Sequence, residues 1–243
     1  MIKKVLISAA GRGSRMLDLS KDKPKHLIEI NNKTMIEHVI ENFNSIKEEK
    51  QFIFIVNSEE CKKYHLDNVL NLLTNHTCKI IKIDHQTKGA ACSAMMAIEY
   101  INNDTPLLIA NADQLFDDNL DDVISNFQSV DGGVVTFDSI HPRWSYARVD
   151  EENYIVETAE KRPLSKHAIA GFFYFKKGKD FIDSAMNMIK KDANVNGLYY
   201  ISPTLNELVL NNKKLIVKTI DNNKYHTFYT PQKIQEYERL KQC

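Results

Sequence analysis

Small residues, glycines and fixed cations crowd one short stretch near the start of the chain. Val5-Leu6-Ile7 is an apolar run that stops at Ser8, Ala9 and Ala10. Gly11, Arg12, Gly13, Ser14 and Arg15 follow, and Lys23-Pro24-Lys25 comes soon after. A strand that ends in small residues lets backbone approach a ligand closely. Glycines permit the sharp turn that aims successive N–H groups at an anion. Arg15 and Lys25 add positive charge, so the combination suits a polyphosphate. No Gly-Lys-Ser/Thr follows, which excludes a Walker A loop, and the third glycine of the dinucleotide fingerprint is absent. By local pattern alone, a phosphate cradle and an ordinary α/β turn both remain open.

The stretch ISAAGRGSRM followed by KPKHLIEINNKTMIEHVI narrows this. It resembles the N-terminal signature of the nucleoside-diphosphate-sugar pyrophosphorylases, the sugar-phosphate nucleotidyltransferases. Ser14 stands where Thr is usual and keeps the hydroxyl. Asn32 replaces a turn glycine, and Asn tolerates the left-handed conformation. The resemblance implies that Ala9, Ala10, Gly11, Arg12, Gly13 and Ser14 cradle the nucleotide. It also implies that Arg15 holds the β- and γ-phosphates and that Lys25 reaches the α-phosphate.

Asn111-Ala112-Asp113 closes a second buried apolar run, Leu107–Ala110. A carboxylate at the carboxyl end of a parallel strand can bind Mg2+, or can simply cap a turn. The resemblance implies that Asp113 is the Mg2+ ligand, with Asn111 on the nucleotide side and Ala112 where Gly is common. Gln86, Gly89 and Ala90 match the family's nucleobase pocket. Gln offers a donor and an acceptor to a base edge, and Gly89 would leave a helix N-terminus facing the ligand. Met95 and Met96 read as core, and Asp117-Asp118 as a solvated charge run. Glu160, Lys161 and Gly171 match the acceptor-binding steps, with Arg162 inserted before Pro163. Trp144 and Tyr146 either close over the site or pack in the core. In 225–231, Thr227 stands where the family often has a second metal-binding Asp or Asn; either Asp113 and the phosphates alone hold Mg2+, or another carboxylate such as Asp221 substitutes, or metal binding is impaired.

Elements must position these residues. Apolar runs at 3–8, 51–56, 79–83, 107–110 and 132–137 read as strands, with helices expected at 59–73, 89–101 and 121–127. Thr34 and Glu37 form a capping box ahead of an apolar helical stripe. Shorter strands fill 144–175, then helices at 179–191 and 203–211, a strand at 214–220 and a last helix opened by Thr230-Pro231. The expected fold class is α/β: a single Rossmann-like three-layer domain over 1–243 with a mostly parallel mixed sheet, as in GT-A-like nucleotidyltransferases. Residues 1–115 form its nucleotide half and 116–243 its acceptor half.

The 243 residues carry 32 basic and 32 acidic side chains, which argues against a general nucleic-acid binder. No apolar run is long enough to span a membrane. The four cysteines show no C-x-x-C pairing, so reduced thiols and a cytoplasmic location are expected. No hexapeptide-repeat extension follows, which sets aside a bifunctional acyltransferase. The implied reaction joins a nucleoside triphosphate to a phosphorylated acceptor, releasing pyrophosphate, with Mg2+ as cofactor and a homodimer as a possible assembly. A sugar 1-phosphate for capsule or surface-polysaccharide precursors is the first acceptor class. A CTP-dependent cytidylyltransferase acting on a phosphocholine- or phosphoglutamine-like acceptor is the second. A nucleotide-binding regulator without catalysis, and a glycosyltransferase of related topology, are the other classes.

Overall fold

The computed structural model describes residues 3–10 and 23–242. The first strand, β1 (Lys3–Ser8), leads to a small hairpin, β2 (Glu29–Ile30) and β3 (Lys33–Thr34), and to helix α1 (Met35–Asn42). Next come β4 (Lys50–Asn57), α2 (Ser58–Tyr64), α3 (Leu66–Leu73), β5 (Lys79–Ile83), α4 (Ala90–Met95) and α5 (Ile98–Ile101). β6 (Leu107–Asn111) and the short β7 (Gln114–Phe116) follow. The remainder holds α6 (Leu120–Ser125), β8 (Gly132–Asp138), β9 (Ser145–Val149), β10 (Ile155–Glu160) and β11 (His167–Phe175). It ends with α7 (Gly178–Lys190), α8 (Thr204–Leu210), β12 (Leu215–Thr219), β13 (Tyr225–Thr227) and α9 (Pro231–Gln242).

Nine strands share one sheet, ordered β10-β9-β11-β6-β1-β4-β5, with β8 beside β11 and β12 beside β8. β6, β1, β4 and β5 run parallel, as do β8 and β12. β11 runs antiparallel to β6 and so joins the two halves of the chain in one sheet. The inner strands are apolar without alternation because helices cover both faces. Val5 and Ile7 enter one core layer and Leu6 the other; Phe52, Phe54 and Val56 oppose Ile53 and Ile55 in the same way.

The turn chemistry follows local rules. Asn31 and Asn32 both take positive φ, 48° and 65°, which closes the hairpin. Thr34 caps α1 by accepting the Glu37 N–H at 3.3 Å. Two expected helices are divided. The one at 59–73 breaks at His65, whose φ of 55° ends α2 while its N–H bonds the Cys61 carbonyl. The one at 89–101 breaks at Met96–Ala97, and Met96 is exposed, not core. β7 and β13 lie outside the expected elements because three residues are too few to show a periodicity.

Candidate active site

The sheet's parallel strands deliver their carboxyl ends to one edge, where ligands bind in such folds. β1 continues through Ala9, whose N–H bonds the Ile55 carbonyl at 2.9 Å. Ala9 is buried and Ala10 half-buried. Gly11, Arg12, Gly13, Ser14 and Arg15 lie outside the described residues.

Pro24 opens a 3-10 turn over Lys25–Leu27, and this turn aims Lys25 at the loop between β6 and β7. There the Lys25 Nζ pairs with Asp113 Oδ2, with the two side chains 13% and 28% exposed. Behind the pair, His26 is buried against the Ala9 backbone. Burial and the Lys25 charge pull its pKa down to about 4, so it stays neutral.

A short antiparallel pair brings the end of the chain onto the same loop. β13 pairs with β7 so that Thr227 stands opposite Gln114, and the Phe228 N–H donates to the Asp113 carbonyl at 2.9 Å. Thr227 therefore lies next to Asp113 along the backbone. Asp221 precedes the turn 222–224, and its charge acts on Lys224.

Gln114 is buried and ties three elements together. Its Nε2 donates to the Gly171 carbonyl at 2.8 Å, and its Oε1 accepts from Tyr225 Oη at 3.1 Å and Asn111 Nδ2 at 3.4 Å. Gly171 takes φ 63° at a register shift in β11. A Cβ there would lie 2.2 Å from Asn111 Nδ2, so a side chain at 171 would displace the Asn111 amide and be strained at this positive φ. Gln114 and Tyr225 were not singled out in the sequence. A buried amide after a strand end was the available signal.

Gln86, expected at a nucleobase pocket, is exposed in the loop before α4. Gly89 takes φ 112°, and a Cβ would meet the Tyr199 carbonyl oxygen at 2.3 Å. The Ala91 N–H donates to that carbonyl at 3.0 Å, and the Tyr199 N–H donates to the Lys88 carbonyl at 2.8 Å. The 199 segment thus takes the Ala91 N–H at the start of α4 and packs against Gly89.

The same stretch of chain also bonds Glu160 and Lys161, the residues expected to bind the acceptor. Glu160 ends β10 opposite Ser145, and its Oε2 accepts from Ser202 Oγ at 2.9 Å. Burial pushes the Glu160 carboxyl up, against the pull of Ser202 and Lys161. Lys161, with φ 56°, donates its N–H to the Trp144 carbonyl at 3.0 Å and its Nζ to Tyr200 Oη at 2.6 Å. Tyr146 is core, whereas Trp144 is only partly buried at this rim.

This arrangement has known relatives. The family model described as Nucleotidyl transferase matches residues 4–223. The chain belongs to the nucleotidyl transferase family. Within this family it is 24% identical over 247 residues to UTP--glucose-1-phosphate uridylyltransferase AglF of Haloferax volcanii, covering 98% of this chain and 96% of that one. It is 25% identical over 175 residues to the bifunctional protein GlmU of Methanocaldococcus jannaschii, matching 71% of this chain. The match spans 40% of that GlmU. Among solved structures, the nucleoside-diphosphate-sugar pyrophosphorylase of Vibrio cholerae RC9 superposes with a TM-score of 0.84 at 22% identity, over 97% of this chain and 99% of that one.

In this family member, Asp117 and Asp118 are not a free charge run. Asp117 pairs with His226 at 2.8 Å and Lys241 at 3.2 Å, and Asp118 with Lys224 at 2.9 Å. They fasten β13 and α9 behind Asp113. Among the described residues, no three His, Cys, Asp or Glu side chains gather as a metal cluster, and no helix is long and apolar enough to cross a membrane. A single carboxylate still fits Mg2+, which keeps several waters and takes its other ligands from substrate phosphates.

Proposed function

We propose that the protein is a nucleotidyltransferase that joins a nucleoside triphosphate to a phosphorylated acceptor and releases pyrophosphate. The carrying observation is the meeting of Lys25 and Asp113 at the carboxyl edge of the sheet. A phosphate oxygen of the acceptor attacks the α-phosphorus in line. The new P–O bond forms as the bond to the bridging β-phosphate oxygen breaks, and pyrophosphate carries away the electron pair. A phosphate monoester is a competent nucleophile at neutral pH, so no general base is required.

The chain's own residues align two polyanions and neutralise their charge. Lys25 serves the α-phosphate and the approaching acceptor phosphate. Arg15 holds the β- and γ-phosphates. Lys161 anchors the acceptor phosphate, and Glu160 takes acceptor hydroxyls. Asp113 would hold Mg2+, which supplies charge neutralisation on the phosphates. The acceptor class we favour first is a sugar 1-phosphate, for which the relationship to AglF is the support.

The test is pyrophosphate release with Mg2+ across CTP, UTP, dTTP, GTP and ATP, against separate pools of sugar 1-phosphates and phosphorylated small metabolites. Release with one triphosphate and one pool supports the reading and names both substrates. Silence throughout, with triphosphate binding intact, favours a nucleotide-binding regulator instead.

A further inference from the structure

Arg143 has no role in the reaction as described above. It sits in the turn His141-Pro142-Arg143-Trp144, between β8 and β9, and this turn is built to be rigid. The Trp144 N–H bonds the His141 carbonyl at 3.3 Å, Tyr146 Oη donates to that same carbonyl at 2.6 Å, and the Arg143 N–H donates to His141 Nδ1 at 3.2 Å. The Arg143 guanidinium lies on the face of Tyr229, 3.8 Å from the ring centre, with the Trp144 ring centre at 5.5 Å. Cation–π contact of this kind fixes a cation without neutralising it. Nearby Arg148 and Arg162 both pair with Glu157, at 2.8 and 2.9 Å. Arg143 reaches no carboxylate within salt-bridge distance among the described residues.

Its surroundings belong to the acceptor side. Trp144 gives its carbonyl to the Lys161 N–H, and its ring lies 6.1 Å from Tyr229 and 6.3 Å from Tyr225. Tyr229 follows Phe228, whose N–H holds the Asp113 carbonyl. Among the described residues, Lys161 also has no carboxylate within salt-bridge distance, and its Nζ donates to Tyr200 Oη. Two cations left open therefore flank Trp144. One anionic group on the acceptor, the phosphate, accounts for Lys161. A guanidinium presents a planar fork that matches a carboxylate with two parallel hydrogen bonds.

We infer that Arg143 is a specificity-determining residue that binds a carboxylate on the acceptor, so that the preferred acceptor class is a phosphorylated molecule bearing a carboxylate. This rests on the nucleotidyl-transfer reading for its biological use. Its physical content, binding of a carboxylate beside Trp144, stands or falls separately.

Trp144 is the chain's single tryptophan, so intrinsic fluorescence reports on this site without turnover. Matched pairs isolate the carboxylate: phosphoserine against phosphoethanolamine, and glucuronic acid 1-phosphate against glucose 1-phosphate. The full chain is titrated with each in wild type, Arg143→Ala and Arg143→Lys. The expected result is that in one pair the carboxylate-bearing member binds about tenfold or more tightly to wild type. Arg143→Ala should abolish that advantage and leave its carboxylate-free partner unchanged, and Arg143→Lys should keep part of it. Equal binding within both pairs overturns the assignment, as does binding by none of the four. An equal loss for both members in Arg143→Ala overturns it too, because Arg143 would then hold the shared phosphate. A loss confined to triphosphate binding would place Arg143 on the nucleotide and also overturn it. Pyrophosphate release is scored independently, so a failed carboxylate preference and a failed transfer reaction are distinguishable.

Discussion

Lys25 and Asp113, 88 positions apart in the chain, close on each other as an ion pair where β1 and β6 end. Each is the other's counter-ion in the absence of substrate. Triphosphate gives Lys25 a new partner, and a divalent cation gives Asp113 one, so the two ligands should help each other bind. Replacing Lys25 by Ala should lower kcat by far more than it raises the triphosphate KM. Turnover of Lys25→Ala within about tenfold of wild type, ~1.4 kcal/mol, would remove Lys25 from the reaction. Pyrophosphate release in a double-mutant cycle with Asp113→Asn should show strong non-additivity, since the two act as a unit.

Thr227 stands beside Asp113 through the β7–β13 register and offers a hydroxyl where a second carboxylate would fit. Thr227→Asp should supply a harder ligand for Mg2+. The Mg2+ concentration giving half-maximal pyrophosphate release should fall severalfold. If the Mg2+ dependence of this variant matches wild type, position 227 does not face the cation.

Glu160 carries a pH prediction. Burial raises its pKa above the ordinary carboxylate range, while Ser202 and Lys161 pull it back. The folded chain thus holds this proton more tightly than the unfolded chain, and the group costs stability as pH rises from the ordinary value through the raised one. Ser202→Ala removes a hydrogen bond that favours the ionised form and should raise the pKa further. The acid limb of acceptor kcat/KM should move to higher pH in Ser202→Ala. An unmoved limb would mean that Glu160 does not titrate in acceptor binding.

His26 has the opposite linkage. Its folded pKa, about 4, lies below the ordinary 6.5, so the unfolded chain takes up the proton first. Stability should be full above pH 6.5 and fall as the pH drops toward 4, by about 3 kcal/mol at most. Urea midpoints of wild type and His26→Asn should converge on acidification if His26 is responsible. Parallel pH curves would assign the loss elsewhere.

Gly89 holds φ 112° against the Tyr199 backbone, where a Cβ would lie 2.3 Å from the carbonyl oxygen. Gly89→Ala should cost about 1–3 kcal/mol, through both strain and contact. Thermal unfolding checks this, and an unchanged Tm would show that the 199 segment can move away freely.

The alternating apolar runs and helical stripes were legible because each reports one residue's neighbourhood in one element. Val5-Leu6-Ile7 and the Thr34 cap read directly into β1 and α1. Lys25, Asp113, Glu160 and Lys161 were legible for a different reason: their residue types fall at spacings that resemble a known family. The breaks at His65 and at Met96–Ala97 were not, because no proline or glycine marks them.

By itself, then, the sequence determined most of the strand-helix order, where the principal strands end, and which charged residues stand near those ends, all of which are local properties of composition and spacing. Only the tertiary structure decided which distant residues share that edge. It set Thr227 against Gln114, put the Tyr199 carbonyl on the Ala91 N–H, Ser202 on Glu160 and Arg143 on Tyr229. Those pairings join segments far apart in the chain. They arise from sheet register and loop packing, which depend on where the whole core brings the backbone and not on any one stretch of residues.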